Sequence, residues 1–161
     1  MAYDAFLKVD GVDGESTDKK HKDWIEVSAF NHAVAQPSSG ASATGGRTGG
    51  RAEFGPVSVE KTADKATPVL SQYCAMGEPI PKVEIEFCEA AGEKHTFLKY
   101  TLNNVLVESV SVTGSGDMSK PEETVNFSYG DIKWEYTPIG HDGKPGGTLD
   151  RGWSLEENAK L

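Results

Sequence analysis

The chain has 161 residues, and its 16 Lys and Arg against 25 Asp and Glu leave a formal charge of −9. A surface this acidic repels phosphate backbones, and no basic patch of useful size interrupts it, so nucleic acid is excluded as a partner. Hydrophobic residues at 37% support one core, 18 Gly and 8 Pro favour short strands and turns over a helical bundle, and membrane insertion is not expected, since no apolar run approaches the ~18 residues of a spanning helix.

Met1 to Lys8 has neither a basic nor an apolar signal region, so cytoplasmic synthesis without a cleavable signal peptide is expected. From Tyr3 to Asp10, Tyr3, Ala5, Leu7 and Val9 alternate with Asp4, Lys8 and Asp10, the period of a strand with one core face and one wet face. Asp10 to Ser16 resembles a calcium loop in composition but lacks its alternating oxygen ligands and distal Glu, so it reads as a turn. A strand is expected over Trp24 to Ala35, with Ile25, Val27 and Ala29 on one face, and another over Pro56 to Lys61.

Between these two strands, Pro37 to Gly50 is rich in Gly, Ser, Ala and Thr. The piece before it is too small to fold alone, so the segment is a long excursion from within one domain, and such loops are commonly functional. From Val27 to Ala52 the only charged side chains are Arg47 and Arg51. An excursion of small residues with two arginines on an acidic body suits docking against an acidic surface, such as that of an identical copy.

A helix of about nine residues follows, with Thr67 as N-cap, Pro68 at the first helical position and Gly77 closing the end. Strict alternation returns from Lys82 to Glu89, where Val83, Ile85 and Phe87 face the core. Four further strands are expected at His95 to Leu102, Asn104 to Thr113, Thr124 to Tyr129 and Ile132 to Tyr136. About eight short strands and one helix describe a mainly β chain, an antiparallel barrel or sandwich in a single domain over 1–161 with an extended loop at about 37–52.

No catalytic, cofactor or metal constellation emerges. Gly40 and Gly45 have phosphate-loop separation, but Gly46-Arg47 replaces the required Lys-Ser/Thr pair. His21, His32, His95 and His141 are scattered singly, and Cys74 and Cys88 lack metal-ligand spacing and read as reduced, packed thiols. No Gly-x-Ser-x-Gly elbow is present.

Several stretches together resemble the haemolysin-coregulated protein (Hcp) family, the tube proteins of bacterial type VI secretion. They are Phe6 to Ser16 with its Gly14-Glu15-Ser16, Ile25-Glu26-Val27, the Gly-rich excursion, Lys61 to Pro68, Val105-Leu106-Val107, and Gly152-Trp153. The resemblance implies a small antiparallel β-barrel of two sheets with one flanking helix, similar to phage tail tubes. It implies hexameric rings of the chain with itself, stacked into a tube inside a contractile sheath, meeting a baseplate, tipped by a spike protein and carrying effectors in the lumen. The protein would leave the bacterial cytoplasm for the extracellular space or a target cell, without catalysis or cofactor.

On this reading Thr44, Gly45, Gly46, Arg47 and Arg51 form the ring-stacking loop, with the arginines meeting acidic residues of the next ring. Ser28 and Asn31 are candidates for the lumen surface, although a single bulge would invert their strand's parity. Six copies at −9 each would carry −54, so rings should repel unless contacts are locally complementary. The alternative is a stand-alone monomeric β-barrel that binds a small ligand or peptide.

Overall fold

The structure, a computed structural model, describes residues 2–38 and 49–161. β1 (Tyr3–Val9) pairs antiparallel with β7 (Ile80–Glu89), β7 with β8 (Thr96–Thr113), and β8 with β9 (Glu122–Tyr136). β9 then divides its free edge. Glu122 to Phe127 pairs with β6 (Val57–Thr62), whereas Asp131 to Tyr136 pairs with β10 (Leu149–Ser154), to which β11 (Ala159–Lys160) adds.

The barrel closes through residues 25–31. β2 (Ile25–Val27) pairs with β1, and after a bend at Ser28, β3 (Ala29–Asn31) pairs with β6. The long β8 and β9 run through both walls, so the two expected sheets share strands. β4 (Val34–Ala35) and β5 (Glu53–Phe54) form a separate two-stranded ribbon.

Alternation places Leu7, Ile25, Val59, Ile85, Leu102 and Phe127 inside, each fully buried. The strand expected at 95–102 and the one at 104–113 are one, because Asn104 takes a left-handed φ of 51° in mid-strand, a conformation Asn tolerates, and pairing resumes at Val105. Likewise 124–129 and 132–136 merge into β9. The bend at Ser28 shifts the parity of the next strand, so Phe30, not Ala29, packs on the core after Ile25 and Val27. The outer face of β1 and β7 is also drier than alternation implies: Phe6 and Cys88 point away from the barrel interior yet are buried.

The helix α1 (Thr67–Met76) packs Leu70 against the barrel, and Gly77 closes it at φ 66° with its N–H donating to Tyr73 O. Ala66, rather than Thr67, is the N-cap, and Pro68 follows one position later than expected. The reason is that Thr67 is engaged elsewhere. Its Oγ1 accepts from Asp64 N–H at 3.0 Å and donates to Glu123 Oε2 at 2.6 Å, while Asp64 Oδ1 accepts from Ala66 N–H at 3.0 Å.

This junction surrounds a buried ion pair. Lys61 of β6 and Glu123 of β9 stand opposite each other in register, are essentially inaccessible to solvent, and meet at 2.7 Å, with Asp64 Oδ1 also 2.8 Å from the ammonium. Removing one partner strands the other charge in an apolar interior. Lys61→Met should therefore cost ~3–5 kcal/mol in urea denaturation, and combining it with Glu123→Leu should recover most of the loss. Equal destabilisation in the double variant would contradict this account.

Candidate functional site

The excursion is a structured arm at its root. Beyond the β4–β5 ribbon, Ser38 bridges to Gly49, and Gly50 N–H donates to Pro37 O at 3.1 Å. Arg51 is exposed beside this stem, whereas Thr44, Gly45, Gly46 and Arg47 lie outside the described residues.

The root is fastened by residues that sequence reasoning did not single out for the purpose. β9 changes partner between Phe127 and Asp131, and Tyr129 sits in that interval. Its hydroxyl donates to Gly55 O at 2.9 Å and, having spent its hydrogen, accepts from His32 Nε2 at 2.7 Å. His32 and Gly55 flank the two ends of the arm, so one side chain ties both. Phe54 stacks parallel to Trp134 and Trp153 at 6.4 Å from each and meets Tyr129 edge-on. Burial raises the Tyr129 hydroxyl above its ordinary range, with Tyr100 adding to it, which keeps it protonated as a donor. Burial also holds His32 below its ordinary 6.5, favouring the neutral ring that this arrangement uses.

Ser28 and Asn31 are both exposed, but they do different things. Ser28 lies at the strand bend, where its N–H and Oγ both turn to Glu60 O, at 2.8 and 3.1 Å. Asn31, one residue after the inward Phe30, projects from the outer face of β3. The interior is filled by side chains, and a cleft of about 710 Å³ outside it is lined by Asp4, Glu15, Asp18, Glu26, Lys94 and Lys120 among others. That lining is too polar for the usual apolar ligand pocket.

Two of the quoted motifs have plain structural causes. A Cβ at Gly14 would run into Trp24 O and come within 2.7 Å of Ile25 Cα, so only glycine lets these backbones approach. A Cβ at Gly152 would lie 2.9 Å from the Leu161 side chain and 3.1 Å from Ile132 O, and the glycine leaves the neighbouring Trp153 free to reach Phe54.

A profile described as "Type VI secretion system effector, Hcp" matches residues 6–136. The chain belongs to the Hcp family. Protein hcp1 of Pseudomonas aeruginosa is 36% identical over 162 residues, which span 99% of each chain. A solved structure described as a type six secretion system protein superposes with a TM-score of 0.95 at 39% identity, covering 99% of this chain and 100% of that one. Hcp1 from Salmonella typhimurium superposes at 0.83 with 35% identity over 100% of each chain. The Hcp fold is mainly antiparallel β with one short helix, and Hcp proteins are secreted structural tube components rather than enzymes.

Because His32 is held below 6.5, the unfolded chain takes up its proton first as pH falls. Its contribution to stability is complete above pH 6.5 and declines as pH drops from there through the folded-state value. The urea midpoint should show this decline, and it should be attenuated in His32→Gln. Tyr129→Phe, which leaves Gly55 O and His32 Nε2 without their shared partner, should cost ~1–3 kcal/mol and speed amide exchange in the β4–β5 ribbon.

Proposed function

We propose that this chain is the repeating subunit of a type VI secretion tube, forming hexameric rings that stack through the arm at 37–52 and carry effectors in their lumen. The observation that carries this reading is the anchored root of the arm, tied by Tyr129, Phe54, Trp134 and Trp153, which fixes where the 37–52 segment leaves the body. The family and the fold support it.

In this reading Thr44, Gly45, Gly46, Arg47 and Arg51 form the ring-to-ring contact, with the two arginines meeting acidic groups of the adjacent ring. They offset repulsion between rings of −54 each, the product of six chains at −9. Ser28 and Asn31 are proposed to face the lumen. Spike, sheath and baseplate are the expected partners, and the route runs from the cytoplasm to outside the cell.

Removal of residues 38–50 should leave rings visible by sizing and negative-stain microscopy while abolishing stacking and secretion. Tubes formed by that variant would overturn the arm's role. A wild-type chain that stays strictly monomeric at high concentration would instead favour the stand-alone binding module.

A further inference from the structure

Segment 11–24 folds over the outer face of β1 and β7 and brings His21 against it. There the His21 ring, 3% exposed, stacks on Phe6 with centroids 4.2 Å apart and planes 4° apart, and meets Trp24 edge-on at 4.8 Å. These rings fix its orientation. Nδ1 lies 2.7 Å from Asp18 Oδ2, so Nδ1 carries the hydrogen donated to that carboxylate. Nε2 then points at two groups from alternate positions of β7, Glu86 Oε1 at 3.3 Å and Cys88 Sγ at 3.7 Å.

This juxtaposition sets a problem of hydrogen-bond bookkeeping. A neutral imidazole whose hydrogen sits on Nδ1 presents a lone pair from Nε2, and a carboxylate oxygen faces it. Thr96 Oγ1 already donates to Glu86 Oε1 at 2.9 Å, so that oxygen is held in place toward the imidazole. Nε2 can accept the Cys88 thiol hydrogen, and Cys88 Sγ also lies 3.3 Å from Thr96 Oγ1, so three possible metal ligands and a hydroxyl gather at one place.

We propose that His21 Nε2, Glu86 Oε1 and Cys88 Sγ form a zinc site, with Asp18 as the carboxylate that orients the histidine. The two distances from Nε2 fit: tetrahedral zinc with ordinary bond lengths places nitrogen and oxygen about 3.3 Å apart and nitrogen and sulfur about 3.6 Å apart. The observed separations are 3.3 and 3.7 Å, and all three ligand atoms lie within 4.8 Å of one another. A carboxylate, histidine and metal in line is the usual way proteins fix the tautomer of a histidine ligand. Mixed nitrogen, oxygen and thiolate donors suit zinc over magnesium or calcium.

The Asp18 carboxylate is also contacted by Lys94, and the Glu86 carboxylate by Lys99, which offsets the negative charge of the donor set. The Thr96 hydroxyl, 2.9 Å from Glu86 Oε1 and 3.3 Å from Cys88 Sγ, stands where a fourth ligand would. Binding replaces the proton of the Cys88 thiol, which passes to solvent, with a zinc–sulfur bond. The ion would staple segment 11–24 to the wall of the barrel.

The test begins with the full-length Cys74→Ser chain, stripped with a chelator, so that Cys88 is the sole thiol. Titration with zinc chloride should give one ion per chain, a raised Tm and proton release. Cobalt(II) in place of zinc should give a thiolate-to-metal charge-transfer band. Cys88→Ser should weaken zinc binding at least tenfold and abolish that band, and Asp18→Asn should weaken binding ~10–100-fold while keeping it.

Failure of the folded chain to take up zinc would overturn the proposal. Tight binding unchanged by Cys88→Ser would overturn it equally. Should Cys88→Ser not fold, the cobalt band in the Cys74→Ser chain decides alone, its absence counting against the site.

Discussion

β9 cannot keep one neighbour along its whole length. Its 15 residues span both walls of a strongly curled barrel, and β6, which starts at Val57, pairs only with the first part, Glu122 to Phe127. Past that point the backbone edge of β9 needs a new partner, and β10 supplies it from Asp131 onward. The short interval left between them is where the arm is rooted. Tyr129 occupies the interval and spends its hydroxyl on Gly55 and His32, while Trp134 from β9 and Trp153 from β10 present flat faces to Phe54. The geometry of sheet closure therefore decides where the projecting segment leaves the body.

The same strand carries the other strong constraint. At its start Glu123 is paired with Lys61 and accepts from Thr67, and Asp64 joins the ammonium. One cluster thus joins β9, β6 and the first turn of α1. Charges taken this far out of water are costly unless fully matched, so the cluster tolerates few arrangements of the 61–68 segment. The run Lys61 to Pro68, which carries part of the likeness to Hcp proteins, is occupied by these contacts. Among the described residues, the barrel closed by residues 25–31 is filled by aliphatic and aromatic side chains.

Much of this was legible in the residues. Alternation in Tyr3 to Asp10 and Lys82 to Glu89 identified strands and their core faces, because one buried face imposes period two. Pro68 and Gly77 located the helix within a residue. What failed, failed for tertiary reasons. Thr67 looks like an N-cap locally, but Glu123, 56 residues away, claims its hydroxyl. Ala29 looks inward until the bend at Ser28 shifts the parity, a bend held by two hydrogen bonds to Glu60. Asn103 looks like a break between strands, yet the left-handed Asn104 beside it is absorbed within a continuous one.

By itself the sequence determined what depends on near neighbours: an acidic chain of antiparallel strands, one short helix, a small-residue excursion and a likeness to Hcp. Only the tertiary structure decided which distant groups meet. His21, Glu86 and Cys88 share no spacing a motif would reveal, and neither do Tyr129, His32 and Gly55, because β-sheet closure places strands side by side irrespective of their separation along the chain. Local periodicity records which face of each strand is buried, but pairing across a barrel is a property of the closed hydrogen-bonded circuit as a whole.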